Sequence, residues 1–153
     1  MTIELLKQQI QGKLEEIKHY VEDDVPIVIG VEVKKDSEQN FDDEGFNGKK
    51  WQDVKRRDPN SPWYGRTQTQ RENKILHQAG HLKDATSYNA SKKKVVITND
   101  KPYARVHNEG LPAKIYGKKV FQMPKRQFIG VTPKLKKSIQ NKIERDITKI
   151  INS

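Results

Sequence analysis

Ile3, Leu6, Ile10, Leu14, Ile17 and Val21 recur at steps of three and four, the period of one helix face. They predict an amphipathic helix over residues 1–24 that closes at Glu22-Asp23-Asp24. Gly12 lies on this helix off the stripe and costs about 1 kcal/mol of propensity. In the next segment Ile27, Ile29, Val31 and Val33 alternate and are β-branched, which taken alone favours a strand. The same residues also fit a helix that starts at Asp24 and Pro26, with Ile29, Val33, Ser37 and Phe41 four apart. Residues 42–73 are a long loop of turn formers and charges, interrupted by Trp51 and Trp63-Tyr64. Large aromatics in such a loop are expected to pin it to the core. Lys74 to Leu82 reads as a short helix or turn, and Lys93 to Thr98 as the clearest strand.

The C-terminal third is better specified. Pro102 suits a first helical turn and Gly110 a left-handed cap, so Tyr103 and His107 share one face of a short helix. Residues 110–127 read as a second long loop, with a further strand around Lys119-Val120-Phe121. Pro124 and Gly130 then bracket a segment carrying Phe128 and Ile129. Thr132 as cap and Pro133 as first residue open a last helix over 132–151, buried through Leu135, Ile139, Ile143, Ile147 and Ile150. Lys134, Lys136 and Lys137 crowd its positive end, each unfavourable by about 0.3–1 kcal/mol at low salt, which points to an anionic partner.

At 153 residues the chain fits a single α+β domain: terminal amphipathic helices packed on a small antiparallel sheet, with long charged loops. Apolar and charged residues each make up 33%, so the core is expected to be thin and to gain from self-association. There is no cysteine, which excludes disulfides and thiolate metal sites. No apolar run is long enough to span a membrane, and the N-terminus lacks the pattern of a secretion signal. The expectation is a soluble, cytoplasmic product. The net charge of +10 is uneven: residues 1–45 carry 5 Lys/Arg against 12 Asp/Glu, and residues 46–153 carry 25 against 8. No acid falls between Glu109 and Glu144, where Lys114, Lys118, Lys119, Lys125, Lys134, Lys136 and Lys137 stand. Those lysines are candidates for polyanion or partner contacts, including non-specific contact with duplex DNA.

Catalytic candidates are weak. His77 and His81 have the spacing of two helical metal ligands, but Gln78 and Ala79 stand where a zinc peptidase needs a Glu, and no third ligand is evident. His107-Asn108 resembles a fragment of a nuclease motif without its second His. Lys118 after Gly117 lacks the strand-to-helix surroundings of a phosphate loop. No enzyme, metal or cofactor is expected.

An ordered set of short motifs carries a resemblance. Gly48-x-x-Trp51 is followed by Lys74-Ile75-Leu76 and Gly80-x-Leu82, then by the strand at 94–98. Tyr103-Ala104-x-x-His107-x-x-Gly110 comes next, and Pro124-x-Arg126-x-Phe128-Ile129-Gly130 precedes the last helix. In this order the chain resembles the phage virion morphogenesis family, the tail completion or neck proteins of tailed phages and Mu-like prophages. It departs from the family pattern at Ala79, Ala85 and Gln127. The resemblance implies a helix at 26–41, overriding the local strand reading. It also implies a structural virion protein at the head–tail junction or tail end, made in the host cytoplasm and working as a ring with itself and with other neck, connector or tail proteins. Its matching residues, Trp51, Gly80, Leu82, Tyr103, Ala104, His107, Gly110, Pro124, Arg126, Phe128 and Gly130, are the candidate assembly residues. Phe128, Ile129 and the 111–122 loop are expected to serve placement and docking.

Overall fold

In the computed structural model, which describes residues 1–77 and 81–153, the chain opens with α1 (Ile3–His19), a π-helical turn (Tyr20–Asp24) and α2 (Val25–Asp43). These follow one another without leaving helical backbone angles. Next come β1 (Gly45–Phe46), β2 (Lys49–Lys50), a 3₁₀ turn (Lys55–Arg57), α3 (Gln68–Glu72) and α4 (His81–Asp84). The chain continues through β3 (Thr86–Ser91), β4 (Lys94–Asn99), α5 (Ala104–Glu109), β5 (Pro112–Ile115), β6 (Lys119–Gln122) and α6 (Pro133–Asn152). The class is α+β, as the sequence implies. Among the described residues its sheets are three separate two-stranded ladders, β1–β2, β3–β4 and β5–β6. The helix at 26–41 expected from the resemblance is present, and the strand favoured by local pattern is not. Contacts divide the chain into two compact units, one of Met1–Lys34, Ser87–Ile97 and Val131–Ser153, the other of Lys35–Thr86 and Thr98–Gly130.

In the first unit the central event is how a proline sits inside a continuous helix. Pro26 has no N–H to give the carbonyl of Glu22, so that acceptor would be orphaned in the helix ladder. The helix answers with the π turn, in which Val25 N–H reaches back to Tyr20 O. The freed Glu22 carbonyl accepts from Lys93 N–H at the β3–β4 turn (2.8 Å). The Glu22 carboxylate accepts from Lys93 Nζ (2.9 Å) and Lys92 Nζ (3.0 Å), so backbone and side chain fasten the same hairpin tip. The ring of Tyr88 in β3 lies against Gly30 of α2, where a side chain would collide with it.

Helix α6 runs antiparallel to α1. Lys13 Nζ donates to Ile150 O (2.9 Å) and Ser153 O (2.7 Å), satisfying carbonyls at its C-terminus, and Tyr20 Oη donates to Asp146 (2.8 Å). Thr132 caps α6 by accepting from Leu135 N–H (3.1 Å), with Pro133 next, as the sequence predicts. Leu135 is buried and Ile139, Ile143, Ile147 and Ile150 are half-buried. The stripe of α1 fares differently: Ile3, Leu6, Ile10, Leu14 and Val21 are all exposed.

The second unit is built around Phe41, Trp51, Ile75, Leu82, Ala104 and Phe128. Phe41 packs edge-on to Trp51 (centroids 5.6 Å) and against Phe128 (4.9 Å). The chain from 51 to 77 contains only the 3₁₀ turn and α3, so most of its carbonyls have no ladder partner. Arginines supply the donors. Arg56 donates to the carbonyls of Gln70 (2.8 Å), Asn73 (2.7 Å) and Lys74 (2.9 Å). Arg57 donates to the carbonyls of Arg71 (3.2 Å) and Asn73 (2.8 Å), and grips both oxygens of Glu44 (2.7 and 3.0 Å). Glu44 also accepts from Ile75 N–H (2.9 Å), tying the far end of the loop to the end of α2. Trp51 pins the loop as expected, but Trp63 is 68% exposed and pins nothing.

The Arg57 hydrogen bonds pull the Glu44 carboxyl down to about 2, and those from Lys93 and then Lys92 do the same for Glu22. A carboxyl so lowered stabilises the fold fully above its unfolded value, near pH 4.5, and ceases to do so as pH falls to about 2. The melting temperature should therefore drop steeply between those limits, and Glu44→Gln should remove part of that drop. A melting temperature that holds constant through the window would contradict both pairs.

Candidate functional site

Several of the motif residues meet at one extended segment, Pro124 to Gly130, which belongs to no ladder yet has many of its polar backbone groups claimed. Arg126 N–H donates to His107 O (2.8 Å) and Gln127 O accepts from Trp51 Nε1 (2.9 Å). Asn108 Oδ1 accepts from the N–H groups of both Phe128 (2.9 Å) and Ile129 (3.0 Å), and Phe128 O accepts from Asn40 Nδ2 (3.1 Å). The Phe128 ring, 1% exposed, lies in the aromatic core. Two asparagine side chains thus act here as a neighbouring strand would.

Arg126 is 6% exposed, with its guanidinium turned to Gln52 O (3.0 Å) and Asp53 O (3.3 Å). Burial, with Arg56 nearby, lowers its pKa, but a guanidinium stays charged in proteins. Helix α5 ends at Gly110 in the left-handed region (φ +68°), where an added Cβ would come within 2.8 Å of Lys125 Cβ. Gly130 closes the segment, and a Cβ there would lie 2.7 Å from Phe46 Cζ. Tyr103 and His107 share a face with rings edge-to-face at 6.3 Å. Burial, and then the Arg126 charge, push His107 below its ordinary value, and its Nδ1 is buried without a partner among the described residues.

Of the sequence candidates, Trp51, Leu82, Ala104, Arg126 and Phe128 are buried, His107, Pro124 and Gly130 half-buried, and Tyr103 exposed. Gly80 lies outside the described residues. Lys114, Lys118 and Lys119 stand on the β5–β6 hairpin, inside the stretch read as loop, Lys125 follows it, and Lys134, Lys136 and Lys137 stand on the first turn of α6; all seven are exposed. Asn40, Asn108 and Glu44 were missed. A single Asn or Glu in a polar stretch carries no periodic signal, and only the partners reveal its task.

The site is thus a packed knot. Among the described residues no three His, Cys, Asp or Glu side chains are grouped to hold a metal ion, and no helix is long and apolar enough to cross a membrane. The model of the phage virion morphogenesis family matches residues 5–148. The chain belongs to the phage virion morphogenesis family. No curated protein and no solved structure matches it. Membership gives the chain a part in phage virion assembly, in a family of structural components.

Asn108→Ala would strand two amides beside the core at about 1–3 kcal/mol each, and Phe128→Ala would cost about 3–5 kcal/mol. Denaturant unfolding should show both losses. Stability within about 0.5 kcal/mol of the parent for either variant would mean that the knot does not hold the fold.

Proposed function

We propose that the chain is a tail completion or head–tail joining protein, acting through protein–protein contacts, assembled as a ring and not as an enzyme. The observation that carries this is the family match across nearly the whole chain. Two features support it. The motif residues with chemically versatile side chains, Arg126 and His107, are spent on structure, while the surfaces left open suit assembly. The apolar stripe of α1 stands exposed, and a chain acidic in its first 45 residues and basic afterwards can meet its neighbour head-to-tail.

Deleting residues 112–121 should leave a folded protein that no longer joins heads to tails. Micrographs of phage carrying the deletion should then show separate full heads and finished tails, whereas intact virions at normal yield would refute the proposal.

A second reading is favoured by the exposed lysines of the hairpin and of α6: non-specific contact with duplex DNA. It predicts an affinity that falls about 10³–10⁵-fold between 50 and 200 mM salt if six to ten phosphates are engaged. Weak binding that does not change with salt would remove it.

A further inference from the structure

Among the described residues the β5–β6 ladder has two strands and no third. Its register pairs Lys114 with Val120 and Ala113 with Phe121, so Lys114 and Val120 share one face, and both are exposed. At the turn Tyr116 sits in the left-handed region (φ +50°) and is 95% exposed, with Lys118 and Lys119 beside it. An isolated two-stranded hairpin is marginal in water, and a tyrosine usually buries about 150–250 Å². This one presents its ring, a valine and three lysines to the outside.

In the first unit, the antiparallel approach of α1 and α6 leaves a groove of about 630 Å³. Tyr20 and Ile150 contribute apolar surface, and four acids, Glu15, Glu16, Asp24 and Asp146, outnumber the bases His19 and Lys149 in its lining, Lys149 lying 4.0 Å from Asp146. Asp146 accepts from Tyr20, while Glu15 and Glu16 make no ion pair among the described residues.

We propose that the β5–β6 hairpin of one copy docks in the α1–α6 groove of a second copy. Tyr116 enters beside Tyr20 and Ile150, and Lys118 and Lys119 meet Glu15 and Glu16. The occupant is another copy because the same chain carries both complements, an aromatic tip with lysines and an apolar groove with acids. The contact is heterologous, so it repeats from copy to copy and closes into a ring where the rotation permits. It deepens the assembly proposal and rests on it for its biological role.

The test is self-association of the full chain, followed by sedimentation at low and physiological salt, beside head–tail joining in phage. Lys118→Glu with Lys119→Glu, and separately Glu15→Lys with Glu16→Lys, should each weaken self-association at least about tenfold. Combining all four should restore it. Tyr116→Ser should weaken it too while leaving the melting temperature unchanged, since the ring is exposed. A monomeric parent chain, unaffected single-side variants, or a four-site variant no better than either half would each overturn the docking. So would hairpin variants that lose DNA affinity but keep self-association. Lost joining with self-association intact refutes the docking and leaves the joining role standing; the reverse supports the docking and removes the ring's role in joining.

Discussion

Backbone carbonyls and amides that enter no ladder must find other partners, and that constraint organises the second unit. Residues 51–77 and 124–130 make up much of it and contain little regular structure. Leaving the buried ones among their polar groups unpaired would cost about 1–3 kcal/mol each. Arg56, Arg57 and Arg126 meet the carbonyls with guanidinium donors, and Asn40 and Asn108 meet the segment around Phe128. These groups hold the irregular chain beside the aromatic core.

The first unit solves a related problem by another route. Pro26 withdraws one donor from a long helix, and the lost bond is replaced from outside by Lys93. That substitution fixes where the β3–β4 hairpin attaches, and the Glu22 carboxylate secures it from the side. A residue that would ordinarily end or kink a helix becomes an attachment point.

Legibility in the sequence follows the same division. Caps and periodic stripes are local, so Thr132-Pro133, α5 with Gly110 and the strand at Lys94–Asn99 could all be read. α2 was obscured because its buried positions, Pro26, Gly30, Ser37 and Phe41, include small and polar residues, while the conspicuous Ile27 faces outward. Strand β3, Thr86–Ser91, alternates only through Thr86, Tyr88 and Ala90 against Ser87, Asn89 and Ser91, too few apolar residues to stand out as a strand. The motif residues were visible as an ordered set, but their task was not, because it lies in partners 20 to 88 positions away. Phe128 reads as suited to docking, yet its ring is enclosed, and the exposed apolar surface includes α1, Trp63, Val131 and the tip of the β5–β6 hairpin.

The segment Pro124–Gly130, with its partners Asn40, Trp51 and Asn108, holds the irregular chain of the second unit in place. Native-state hydrogen exchange at the amides of Arg126, Phe128 and Ile129 tests it most directly. All three should be protected to about the level of amides in α2 near Phe41, opening only with global unfolding. Exchange as fast as that of Tyr116 at the hairpin tip would contradict it.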